Sequence, residues 1–89
     1  MRIEETTVAT IRGWKVTVAN ILAGSYRTPA GEQRGLTAVV GRYDEAKADQ
    51  GELTVGAGSS LNIAGETWTV VAVVAGLGSA NGHVELRGP

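Results

Sequence analysis

Between residues 53 and 86 short apolar runs alternate with glycine turns, and that pattern commits this part of the chain to β structure. Leu61, Asn62 and Ile63, the turn Ala64-Gly65-Glu66, and the stretch from Thr67 to Val74 spell a hairpin. A glycine-rich link over residues 75–82 then leads to a last strand, His83-Val84-Glu85-Leu86-Arg87. No helical period of apolar residues interrupts the series.

The same punctuation runs upstream. Residues 3–11 read as a first strand with Ile3, Glu5, Thr7, Ala9 and Ile11 on one face. After Gly13, the residues Trp14, Val16 and Val18 alternate cleanly and point inward. The phase slips at Ala19-Asn20, because Ile21 and Leu22 are adjacent, and this calls for a β-bulge or a strand end. Residues 36–43 form the next strand and residues 52–55 resume strand character. Residues 23–35 hold Gly24, Pro29, Gly31 and Gly35 with little apolar content, and read as a long loop, mobile at its tip. Residues 44–51 are polar, lack an apolar stripe, and read as an exposed turn.

The expected fold is a single all-β domain over residues 1–89, a small antiparallel barrel or sandwich of about six strands with a C-terminal β-meander. Its expected core is Trp14, Val16, Val18, Leu36, Ala38, Val40, Leu53, Val55, Leu61, Ile63, Trp68, Val70, Val84 and Leu86. With no Phe and no Cys, bulk in that core must come from β-branched residues and from the two tryptophans, Trp14 and Trp68.

Composition narrows the function. Eight basic and nine acidic residues are scattered to a net charge of −1, so no basic stripe is available to follow a nucleic-acid backbone. The absence of cysteine removes disulfides and thiolate metal sites, and fits a reducing compartment. The first residues lack a signal-peptide core, and the longest apolar run, Val70 to Ala75, is far too short to span a bilayer. The expected location is cytoplasmic, or a virion if the gene is phage-borne.

Motifs for chemistry are scarce. Gly56-Ala57-Gly58-Ser59-Ser60 has the glycines of a phosphate loop, but strand-like Leu61-Asn62-Ile63 follows it, no lysine follows the glycines, and an interstrand turn is the better reading. His83 is the single histidine, and the acids are dispersed, so no metal cluster forms in sequence. A dyad of His83 with Ser25, Ser59, Ser60 or Ser79 would have to be assembled in space, and no Gly-x-Ser-x-Gly elbow presents a nucleophile. These features point away from an enzyme and from any cofactor.

Two surfaces remain. Tyr26 and Arg27 stand in the 23–35 segment as a contact surface for a protein partner. In the run from Val70 to Val74, Trp68, Val70, Ala72 and Val74 line one face, while Val71 and Val73 make the opposite face apolar as well. A strand apolar on both faces is covered on both, by a loop or by another subunit, which points to a homo-oligomer with Val71 and Val73 at the contact. The alternative is a small-molecule barrel with Tyr26, Tyr43 or His83 at its mouth beside the glycine loops.

The spacing Leu53-Thr54-Val55-Gly56-x-Gly58, Leu61-x-Ile63-x-Gly65-x-x-Trp68-x-Val70 and Val84-x-Leu86 resembles small β proteins of actinobacteria grouped as a domain of unknown function. The turn with its tryptophan, the glycine-rich link and the short last strand are also similar to β-barrel head–tail joining subunits of tailed phages. The likeness covers about the last forty residues only. It implies a β fold and, for the second group, assembly into rings through loops and strand edges. The expected role is a non-enzymatic interaction or assembly module.

Overall fold

A computed structural model describes residues 1–44 and 49–89, residues 49 and 50 by backbone alone. Among the described residues there is no helix. Two four-stranded antiparallel sheets are built from β1 (Arg2–Glu4), β2 (Val8–Ile11), β3 (Trp14–Thr28), β4 (Gly31–Asp44), β5 (Asp49–Gly56), β6 (Ser60–Ile63), β7 (Glu66–Val74) and β8 (His83–Arg87). The first sheet has the order β2-β3-β4-β5, the second β1-β8-β7-β6. The shortest dimension of the molecule is 20 Å, the thickness of two sheets about 10 Å apart with their outer side chains. The fold is a sandwich.

Local chemistry sets the turns. Arg12 and Gly13 both have positive φ (49° and 82°), as do Ala64 and Gly65 (54° and 81°). Each pair is the two-residue turn whose twist matches a hairpin, closed by Ile11 opposite Trp14 and by Ile63 opposite Glu66. Asn62 Oδ1 accepts the Gly65 N–H at 3.1 Å and steadies the second turn. The two turns meet: the Arg12 guanidinium lies 2.5 Å from Glu66 Oε1. The C-terminal meander follows the sequence reading closely, with β6, β7 and β8 paired in succession.

The core is Ile3, Ile11, Val16, Val18, Ala38, Val40, Val55, Leu61, Ile63, Val70, Val73, Val84 and Leu86, drawn from both sheets. Trp14 and Trp68 are half-buried against it and act as flanking covers. A Cβ on Gly88 would sit 2.9 Å from the Trp68 ring, so the chain end lies directly on that indole. Leu36 and Leu53, expected in the core, are each 39% exposed. Leu53 lies on the edge strand β5, and Leu36 lies beyond the end of the core.

Three expectations need correction. Residues 3–11 are two strands in different sheets. The chain turns between them at Thr6, whose φ is +63°, and the Thr7 hydroxyl donates to the Glu4 carbonyl at 2.7 Å. Residues 23–35 are not a loop but the far half of a β-hairpin. Finally, a register shift between Val70 and Ala72 leaves Val71 as an extra residue in β7. Val73 therefore turns into the core beside Val70, and the outward apolar residues are Val71 and Val74, 46% and 40% exposed. Val73 is no surface contact. The polar turn expected over residues 44–51 falls mostly outside the described residues, with Asp44 closing β4 and residues 49–51 opening β5.

Candidate interaction site at the hairpin arm

β3 and β4 are far longer than any other strand, and only part of each covers the core. β2 leaves β3 at Thr17, and β5 leaves β4 at Thr37. Past those points the ribbon is two strands wide, and β3 from Val18 onward and β4 before Thr37 each have a sheet neighbour on one side only. The change comes at the bulge that the sequence slip foreshadows. Asn20, with φ +54°, and Ile21 oppose one residue of β4, since pairing jumps from Ala19–Val39 to Leu22–Thr37. Residues 20–36 form an arm in which no side chain is buried.

The arm is held. Its tip turns at Pro29 and Ala30, where proline's fixed φ suits the first corner of the turn and Gly31 takes φ +122°. The Thr28 hydroxyl ties the tip by donating to the Gly31 carbonyl at 3.0 Å and accepting the Ala30 N–H at 3.1 Å. The turn joining β5 to β6 then clasps the arm. Ser59 Oγ donates to the Arg27 carbonyl at 2.6 Å while accepting the Gly56 N–H at 3.1 Å. The Tyr26 ring lies flat on Gly56, where any Cβ would fall inside the ring, and also touches Gly35. Gly58 packs against the Thr28 methyl group.

This clasp is the role that sequence reasoning missed in Gly56-Ala57-Gly58-Ser59-Ser60. The stretch is an interstrand turn, as expected, but its glycine and serine also anchor a distant hairpin. The signal was available in part. Tyr26 and Thr28 are good strand formers, and Thr28-Pro29-Ala30-Gly31 between them and Gln33 is turn chemistry inside a strand pair.

The arm shows a mixed surface. Leu22 is 57% exposed, while Leu36, paired with Ala23, points to the opposite face. Arg27 and Arg34 are exposed, with Glu32 across from Arg27 and Ser25 across from Arg34. Between the tip and the clasp is an open cavity of about 450 Å³ lined by Tyr26, Thr28, Pro29, Ala30, Gln33, Ala57 and Gly58. None of these residues belongs to the core, so the cavity is outside the sandwich.

The residues considered for a ligand site do not converge. Tyr26 borders the cavity, but Tyr43 is at the other end of β4, half-buried and paired with Lys15. His83 is in the second sheet, its side chain 10% exposed and Nε2 3.5 Å from Glu85 Oε1. Of the serines weighed as its nucleophile, Ser59 is committed to the clasp, Ser25 is on the arm, and Ser60 and Ser79 are exposed. Among the described residues no three His, Asp or Glu side chains gather as metal ligands. No helix among them is long and apolar enough to cross a membrane. No family model, curated protein or solved structure matches the chain.

Proposed function

We propose that this chain is a non-enzymatic protein-interaction or assembly module and that the arm of β3 and β4 is its contact element. One observation carries the reading: residues 20–36 are ordered as strand and tip turn, yet none of their side chains is fully buried and only Ile21, at the root, packs against the core. Ordering a backbone residue costs about 1–2 kcal/mol, and a lone two-stranded ribbon is marginal in water. Beyond Ile21 at its root, the arm adds no residue to the core, so its value lies in what it presents. It presents Tyr26, Arg27 and Arg34, residue types enriched where proteins meet, beside the exposed Leu22 and Leu36. Its one-sided strands offer backbone groups for strand addition, and the clasp limits the ordering cost on binding.

A small-molecule site at the arm cavity is the second reading, favoured by the volume there and by the Tyr26 ring beside the Gln33 amide. The position outside the core and the separation of Tyr26, Tyr43 and His83 weigh against it.

Site-specific photo-crosslinking in the source cells tests the main reading. A photoreactive residue at Leu22, Ser25 or Leu36 should give a discrete protein adduct, while the same residue at Thr67, on the second sheet, should not reproduce it. The adduct should disappear when a competing unlabelled chain is present in excess. Absence of adducts from all three arm positions, with the labelled protein folded, would overturn the proposal.

A further inference from the structure

On the outer face of the second sheet Arg2, Glu4, Glu85, Arg87, Val71 and Val74 are exposed. Paired residues share a face, so the register places Arg2, Glu85 and Ala72 in one outward row and Glu4, His83 and Val74 in the next. A third row holds Arg87, Thr69 and Ser60. The inward row between the first two is Ile3, Val84 and Val73, all in the core. The bulge adds Val71 to the outward side, so Val71, Ala72 and Val74 make an apolar strip along β7, and beyond its end Leu77 is 83% exposed.

We infer that this face is the contact between two copies of the chain, related by a two-fold axis that crosses the strands at the Ile3–Val84–Val73 row. The face is self-complementary about that axis. That axis exchanges the two outward rows, and so sets Arg2 opposite the Glu4 of the second copy and Ala72 opposite its Val74, while His83 in the same row is covered within its own chain. Arg2 and Glu4 each meet an opposite charge and the apolar strip meets itself. Within one chain Arg2 and Glu4 are 3.7 Å apart with side chains about half exposed (57% and 48%), so a second copy closes a ring of four alternating charges. Moving the axis by one row would oppose Glu85 to Glu85 in one direction and Glu4 to Glu4 in the other, like-charge contacts that cost binding energy.

A strongly charged partner of either sign fits poorly, because Arg2, Arg87, Glu4 and Glu85 balance to zero. Val71, Val74 and Leu77 are each exposed on this side of the molecule. Small side chains on β7 let two sheets approach to the usual spacing of about 10 Å. The inference concerns a face other than the arm and stands whether or not the arm binds a partner.

Sedimentation velocity on the full chain across the micromolar range tests it. The wild type should sediment as a dimer, and Val74→Lys should sediment as a folded monomer, its fold checked by circular dichroism. Val71→Lys, at the exposed bulge, should behave alike and covers the case in which Val74→Lys does not fold. Arg2→Glu should weaken dimerisation at least about tenfold, and the exchange Arg2→Glu with Glu4→Arg should recover it to within roughly threefold. A chain lacking residues 23–36 should still dimerise, which separates this face from the arm. A monomeric wild type at the highest concentration, a folded Val71→Lys dimer as tight as wild type, or no recovery in the double exchange would each overturn the inference.

Discussion

The same two strands, β3 and β4, run through two regions that obey different rules. On the body side of the bulge, Val16, Val18, Ala38 and Val40 alternate with outward residues, and each is fully enclosed by the second sheet. On the arm side the alternation loses its target. None of residues 22–28 and 31–36 belongs to the core, and what ties them to the body is the Tyr26 ring on Gly56, Gly58 against Thr28, the Ser59 hydroxyl and the Thr37 hydroxyl, which donates to the Leu22 carbonyl at 2.9 Å. Body stability comes from removing apolar surface from water, whereas arm order comes from a few polar and van der Waals contacts. The comparison shows how a small domain extends a strand pair past its own core without leaving it loose.

The contrast can be broken most sharply in the body. Ile63 is fully buried at the end of the edge strand β6, and Ile63→Ala should cost roughly 2–5 kcal/mol, a large share of the about 5–15 kcal/mol available to a domain of this size. Chemical denaturation should record the loss as a lower midpoint with the slope unchanged. Equal midpoints for mutant and wild type would remove Ile63 from the core. A smaller effect is expected at the clasp. Gly56→Val has to displace the Tyr26 ring and should cost about 1–3 kcal/mol, with Tyr26 fluorescence or its ring resonances changing while the core resonances stay in place. If the Tyr26 ring signals do not move, the ring is not seated on Gly56. Smallest of all is the arm surface: Leu22→Ser should shift stability by no more than about 0.5 kcal/mol despite removing a large apolar side chain. A loss comparable to that of Ile63→Ala would mean that the arm packs against something.

The same division explains what the sequence reveals. The meander of β6, β7 and β8 is legible because its turn, its alternation and its pairing are all local. The bulge at Asn20 is legible because two apolar residues fall side by side where one phase allows one. The arm is not, since a ribbon without a core needs no apolar alternation, and Gly24, Pro29, Gly31 and Gly35 then look like a loop. The fate of Val73 is hidden for the opposite reason: in a run apolar on both faces, a bulge changes the phase without changing the pattern. The clasp depends on Ser59 meeting Arg27 across 32 residues, and short-range signals do not encode such a meeting.

The central claim is that the arm is an appendage of the fold and not a member of its core. The most direct measurement deletes residues 23–36 and closes the Leu22–Thr37 pair with an Asn-Gly turn, a length and sequence suited to a tight hairpin. The shortened chain should unfold in one cooperative transition within about 2 kcal/mol of the wild type, because it loses the clasp and keeps every core residue. A chain that is unfolded, or that melts without cooperativity, would contradict the account and make the arm part of what holds the sandwich together.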